Sequence, residues 1–319
     1  MNNLQELIKQ YNTDKSKSTY DEIIKAFMSQ QTLWAAFSPP TNNYYIGRDD
    51  KKPCMYIFSE KKYLDMFQGF LVKYLYYIVP LENTLEHRMI MFGDLFRSGI
   101  EVIVVDNGQE NNISLNLTDL VPEPDFDGIA QTERPLLNPD LVLNASMFFQ
   151  CLAAKKPQTD MEEKMFAKIC TSRFLMPADE SILKFETSED GTKNVNIDEE
   201  TIKKLPVITN VNNQDYFPFF TDWNELRRYD RAKKFAGNIV SFSDLKYFAG
   251  LKSGIVINPF GFNFIIDKKM IGVVDTVGHK YLEEHKDITE AASAADEQPE
   301  EETAKKPEGK KLFGLFGKK

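Results

Sequence analysis

Phe219-Phe220-Thr221-Asp222-Trp223-Asn224-Glu225-Leu226-Arg227-Arg228-Tyr229 is the stretch that decides the fold. An apolar run ends on a hydroxyl residue, acids follow, and Leu226 and Tyr229 then fall at helical spacing. The pattern predicts a strand leading straight into a helix, with Thr221 as N-cap and Asp222 and Glu225 in the first turn. Downstream, Ile239–Phe242 reads as a strand. Ser243 reads as the cap of a helix carrying Leu245 and Phe248, closed by Gly250. Ile255-Val256-Ile257 is a compact strand ending in Asn258-Pro259-Phe260-Gly261. Proline fixes φ and glycine permits positive φ, so those four residues suit a tight turn leaving a buried strand.

A fainter version of the same text lies upstream. Ile57-Phe58-Ser59-Glu60-Lys61-Lys62-Tyr63-Leu64-Asp65-Met66-Phe67 is followed by Phe92-Gly93-Asp94-Leu95 and then by Val102-Ile103-Val104-Val105-Asp106-Asn107-Gly108. Phe58–Phe67 aligns without gaps to Phe220–Tyr229, and Asp94-Leu95 is set against Asp244-Leu245. The extra residues of the first copy then fall near Val79 to Glu86, where a loop lengthens at little entropic cost. An internal duplication fixes the architecture before any residue is given a role. The expectation is an α+β protein of two related modules, each a mixed β-sheet flanked by short helices.

Helices are predicted over Leu4–Tyr11 and Tyr20–Phe27, and a strand over Leu33–Phe37. Pro122–Pro139 is rich in proline and acids and reads as a linker. Helices follow over Asn144–Ala154 and Asp160–Thr171, then a strand from Arg173 to Met176 stopped by Pro177. Ile182–Thr187 and Asn194–Ile197 flank Glu189-Asp190-Gly191, a hairpin signal. The organisation expected is a first module over 1–121, a linker and helix over 122–158, a second module over 159–285 and a charged tail over 286–319.

The chain has 319 residues, enough for two ordinary domains, and 42% are apolar, enough for sizeable cores. A net charge of −9 argues against nucleic acid as a partner, since that binding depends on neutralising phosphates. Cys54, Cys151 and Cys170 are too widely spaced for a zinc or redox motif and read as free thiols of a reducing compartment. His87, His279 and His285 show no metal-ligand spacing. There is no phosphate-binding glycine loop and no nucleophile elbow. No catalytic residue, cofactor or metal is therefore assigned, and the balance leans away from an enzyme. Met1–Leu7 has no secretory pattern, and the longest apolar-leaning run, Phe70–Val79, includes Lys73 and is too short to span a membrane. The location expected is cytoplasmic, with room for peripheral contact at the inner membrane face.

At Phe219-Phe220-Thr221-Asp222-Trp223 with Leu226, and at Ile257-Asn258-Pro259-Phe260-Gly261, the chain resembles the SseB protein N-terminal domain family. The resemblance covers about Thr171 to Val274. The first copy departs from the pattern, with Asp106-Asn107-Gly108 in place of Asn258-Pro259-Phe260-Gly261. The resemblance implies a bacterial protein with no established enzymatic activity or cofactor.

Trp223, Phe260 and Phe262 are candidate partner-binding residues, because aromatic anchors are enriched at interface hot spots. Against that, Trp223 also suits the edge of a core, and Asn258–Gly261 suits a purely structural turn. Arg227, Arg228, Arg231, Lys233 and Lys234 form a basic cluster that reads either as a solvated face or as a site for an acidic partner. Glu290–Glu308 lacks large apolar residues and is expected to be disordered. It leads into Lys310-Lys311-Leu312-Phe313-Gly314-Leu315-Phe316-Gly317-Lys318-Lys319. Leu312, Phe313, Leu315 and Phe316 between lysine pairs suit a docking peptide, weak contact with an anionic membrane, or a plain solubilising end. Two functions remain open: a non-catalytic interaction or scaffold protein with an unknown protein partner, and a small-molecule binder or enzyme using a cleft between the modules.

Overall fold

The computed structural model describes residues 3–286 apart from 61, 64–68, 70–72, 74–75, 82–83, 131–133, 157–158, 180, 182–183, 188–192 and 197–198. Asn3 caps α1 (Leu4–Asp14), which buries Leu4, Leu7 and Ile8, and Ser16 caps α2 (Lys17–Met28), which buries Ile23 and Phe27. The first half continues through β1 (Trp34–Ser38), β2 (Asn43–Tyr44), β3 (Ile46–Asp49), β4 (Lys52–Phe58) and β5 (Tyr77–Pro80). It ends with α3 (Leu85–Leu95), β6 (Val102–Val105), β7 (Ile113–Asn116) and the short α4 (Leu117–Leu120). The second half opens with α5 (Pro139–Ala153), α6 (Thr159–Thr171), β8 (Phe174–Ala178), β9 (Lys184–Thr187), β10 (Lys193–Asn196) and α7 (Glu199–Lys204). β11 (Ile208–Thr209), β12 (Asp215–Phe219), α8 (Trp223–Tyr229), β13 (Ala236–Val240) and α9 (Phe242–Ala249) follow, then β14 (Gly254–Ile257), β15 (Phe264–Ile266) and α10 (Lys268–Glu284).

The two halves share a strand order. In the first, β5 pairs β1, β1 pairs β4, β4 runs parallel to β6, and β7 returns antiparallel. In the second, β13 pairs β8, Leu175 bridges to Phe220 beside β12, β12 runs parallel to β14, and β15 returns antiparallel. The register also agrees. Ile57 faces Val105 as Phe219 faces Ile257, and Trp34 faces Phe58 as Leu175 faces Phe220. The residue leaving each central strand has a left-handed backbone, with φ 57° at Asp106 and 47° at Asn258. Asn and Asp tolerate that region better than other side chains, because they can bond their local backbone.

Several local expectations shift. Asp222, not Thr221, caps α8, and Ser241, not Ser243, caps α9 with Asp244 completing a capping box. Thr221 is unavailable as a cap because Asn258 holds it. β8 runs through Pro177 to Ala178 rather than stopping before it. Asp94-Leu95 lies in the last turn of α3, whereas Asp244-Leu245 lies in the first turn of α9, so that block of the sequence alignment is out of structural register. The extra length of the first half is spread over the approach to β5 and a longer α3. Gly261 has no positive φ; Asn258 and Asn263 carry the left-handed conformations of that turn. Leu64–Phe67 and Glu189–Gly191 lie outside the described residues, although β9 and β10 pair antiparallel as a hairpin requires.

Each half has its own apolar core. Ile8, Phe27, Ile57, Phe92, Ile103 and Leu115 centre the first; Phe166, Phe174, Phe217, Phe219, Leu245 and Ile257 centre the second. Burying one such side chain contributes about 1.5–3 kcal/mol. The helix α5 serves both: Met147 and Leu143 join the first core, while Leu141, Ala145 and Phe148 join the second. Its Gln150 accepts from the Ile46 N–H at 3.0 Å and donates to the Ile46 carbonyl at 2.9 Å. A side-chain amide thereby satisfies both backbone groups of Ile46, which would be costly to bury unpaired. The described residues up to Tyr281 form one compact unit that contains the sheets of both halves, and a second unit begins at Leu282, of which the end of α10 and the residues to 286 are described.

Candidate functional site at the seam between the halves

In open sheets, ligands favour the carboxyl ends of parallel strands. Here those ends are Phe58-Ser59 and Val105-Asp106 in the first half, and Phe220-Thr221 and Ile257-Asn258 in the second. At the second, the Asn258 N–H donates to the Phe219 carbonyl at 2.9 Å. Its Oδ1 accepts from the Thr221 N–H at 3.0 Å, and its Nδ2 donates to Thr221 Oγ1 at 2.8 Å. The Thr221 hydroxyl in turn donates to Asp222 Oδ2 at 2.8 Å. Asp222 Oδ1 accepts the N–H groups of Asn224 and Glu225 at 2.9 and 3.1 Å, starting α8.

The first half reaches into this site. Arg97 follows α3 on a 3-10 turn and is buried. Its Nη1 donates to Asp222 Oδ2 at 3.1 Å and lies 3.7 Å from Glu225 Oε1. Its Nε and Nη2 grip both oxygens of Asp94 at 3.0 and 3.1 Å, and Asn224 donates to Asp94 as well. Arg228 Nη1 donates to Glu225 Oε1 at 3.0 Å, and its Nη2 to the Asn42 carbonyl at 3.2 Å. Asn42 Nδ2 donates to the Phe260 carbonyl at 2.7 Å. Asp94, Arg97 and Asn42 come from the first half; Asp222, Asn224, Glu225, Arg228 and Phe260 come from the second.

Burial works against the charge on Arg97, but Asp222, Asp94 and Glu225 outweigh it and raise the pKa overall. Burial pushes the Glu225 carboxyl above its usual range, with Arg228 pulling the other way. The asymmetry has a visible cause, since Glu225 Oε2 is buried with no hydrogen-bond partner among the described residues. It faces Gly261, where a Cβ would sit 2.8 Å away. Chemically the arrangement is a clasp. Every other carboxylate oxygen in it accepts a hydrogen bond from a neighbour, and no hydroxyl, thiol or imidazole in it faces a free base.

The equivalent end in the first half is closed differently. Asp106 is buried and accepts from the Ser59 N–H and Oγ–H at 2.7 and 2.6 Å, and Gln5 Nε2 caps both, at 3.2 Å to Ser59 Oγ and in a short contact to Asp106. Burial raises the Asp106 carboxyl, opposed by the Ser59 and Gln5 hydrogen bonds.

The aromatic candidates separate. Phe262 is a core residue, 5% exposed and stacked on Phe149 at 5.8 Å. Trp223 is half-buried against Leu175, Phe220 and Leu226, with its ring over Gly237, where a Cβ would lie 2.8 Å from the indole. Phe260 is 48% exposed, beside Tyr229 at 6.3 Å. Leu312, Phe313, Leu315 and Phe316 lie outside the described residues. Reading the sequence alone did not find Asp94, Arg97 or Asn42, and took Glu225 only as a helix-start acid. The one signal for Arg97 was its spacing from Asp94, three residues earlier on a helix. Among the described residues no group of His, Cys, Asp and Glu could hold a metal, and no helix is long and apolar enough to cross a membrane. The three cysteines are free; burial pushes Cys54 and Cys170 up to about 12.

Residues 150–272 match the family model of the SseB protein N-terminal domain. That stretch is similar to the SseB domain, as Phe219–Trp223 and Asn258–Gly261 implied. The match includes Thr221, Asp222, Glu225 and Asn258, while Asp94, Arg97 and Asn42 lie before it. No curated protein matches the chain.

Proposed function

We propose that this is a bacterial, non-catalytic interaction protein whose two halves form a rigid scaffold, with a partner surface at Phe260. One observation carries the reading. The polar groups at the second strand end, where a substrate would be expected, are engaged with one another and, through Asp222, with Arg97, and the same clasp holds Phe260 outward through its carbonyl bonds to Asn42 and Arg228. An exposed aromatic residue on a fixed backbone loses little entropy on binding, which favours it as an anchor. The pairing of Arg97 with Asp94 and Asp222, and of Arg228 with Glu225, leaves only Glu225 Oε2 without a partner among the described residues, which speaks against the alternative of an enzyme or small-molecule cleft there. Lys310–Lys319 is proposed as a second, separate docking element. The shared strand order and register support descent of both halves from one duplicated unit.

The test is photo-crosslinking in the bacterium from benzoylphenylalanine placed at position 260 of the full chain. Val211, 98% exposed, is the control position. A discrete crosslinked protein from 260 and not from 211 is the expected result. Identical, diffuse products from both positions would reject Phe260 as a partner surface.

A further inference from the structure

Beside Phe260 lies a short segment whose chemistry the clasp does not use. Asp230 is buried; its Oδ2 accepts the Phe235 N–H at 2.7 Å and its carbonyl accepts the Lys233 N–H at 3.1 Å. Lys233 takes a left-handed backbone, φ 53°, to close the turn. The turn therefore has a fixed shape before any partner arrives. It lays the Phe235 ring on Tyr229 at 6.0 Å, nearly parallel, and Tyr229 in turn neighbours Phe260. An aromatic strip, Phe235–Tyr229–Phe260, runs beside the basic residues of the same segment.

Arg227, Arg231, Lys233 and Lys234 are exposed, and among the described residues none of the four forms an ion pair; Arg228 is committed to Glu225. Four uncommitted cations within eight residues stand out on a chain of net charge −9. None of the four lies within ion-pair distance of a carboxylate among the described residues.

We infer that the Asp230–Phe235 turn, with Tyr229 and Phe260, is a docking surface for an acidic, phenylalanine-bearing segment of another protein. The inference rests on the reading of Phe260 as a partner surface and adds the partner's chemistry. The strip offers ring faces to an aromatic anchor, and the turn offers complementary charge around it. A protein segment is favoured over nucleic acid or an anionic membrane by range. Charge complementarity is felt over about 8 Å at physiological salt. A short peptide meets only the basic turn within that distance, while an extended polyanion also meets the acidic remainder of the molecule.

The experiment titrates the full chain into a fluorescein-labelled peptide of Glu–Phe repeats and reads anisotropy at two salt concentrations. Binding that weakens with salt is expected, with no binding to Lys–Phe repeats. The triple charge reversal Arg231→Glu, Lys233→Glu, Lys234→Glu should weaken binding at least about tenfold, and Phe260→Ala about tenfold. These are surface positions, and an unchanged melting temperature confirms the fold of each variant. No binding by the parent chain, or equal binding by the triple variant, overturns the inference. Tighter binding to phosphatidylglycerol vesicles or duplex DNA than to the peptide also overturns it. If crosslinking from position 260 survives charge reversal, the partner surface stands and only its acidic specificity falls.

Discussion

Replacing Arg97 with methionine removes a buried guanidinium and keeps most of its apolar length. Three acids lose a partner, but not equally. Asp94 is 39% exposed on its side chain, so water takes over there and the loss is about 0–1 kcal/mol. Asp222 and Glu225 are 1% and 3% exposed, so their charges stay in a dry seam. Breaking a buried pair on one side costs about 3–5 kcal/mol, chiefly from the charge left behind. Arg97→Met is therefore expected to destabilise by about 3–5 kcal/mol, nearly all of it through Asp222 and Glu225.

Urea unfolding monitored by circular dichroism is the assay. Because Arg97 joins the halves, the variant should also lose a single cooperative transition, showing two steps where the parent shows one. A double-mutant cycle with Asp222→Asn isolates the pair, and the double variant should lose clearly less than the two singles together. A loss below about 1 kcal/mol with one sharp transition would refute the clasp as a source of stability.

Two further changes probe the same seam. Gly261→Val should destabilise by about 1–3 kcal/mol, since its Cβ would meet Glu225 Oε2 at 2.8 Å and Asn258 Cβ at 3.3 Å; a neutral result by thermal denaturation would show that the turn opens freely. Burial raises the Glu225 pKa in the folded state, so protonated Glu225 favours folding below its unfolded value, and that contribution disappears as pH rises through the folded value. Glu225→Gln should match the parent near pH 4 and become relatively more stable as pH increases, read as a diverging pair of stability–pH curves; parallel curves would mean that the carboxyl is ionised with its usual affinity.

The parts of the fold set by local patterning were legible in the sequence. Ile255–Ile257 and Val102–Val105 announce buried strands, and Phe219–Tyr229 announces a strand-to-helix passage. Gly261 was also singled out, though for the wrong physical reason: the constraint is the approach of Glu225, not a positive φ. Cap identity was missed by one residue at Thr221, because adjacent Thr and Asp both suit an N-cap. What decided between them was Asn258, thirty-seven positions away in hydrogen-bond separation. Arg97 was illegible for a stronger form of the same reason. Its spacing from Asp94 suits a solvated helix-end pair equally well, and its role exists only once the two halves are brought together.

The seam also bears on how like halves can join without inviting further copies. It is heterologous: the α3 end of one half meets the strand end of the other, and such contacts propagate into rings or filaments when the same two surfaces recur on every unit. Matching the Gly99 N–H to Phe96 carbonyl bond with the Leu251 N–H to Phe248 carbonyl bond places Arg97 opposite Ala249. The second half therefore has a buried alanine where the first has the connecting guanidinium. At the other surface, Glu60 stands for Asp222 and is paired to Lys62 at 2.7 Å, and Gln5 already closes Asp106. Both outer surfaces thus lack the chemistry used between the halves. Only the strand end inside the seam has to receive an arginine, and only there do Asp222, Glu225 and Asn258 act together.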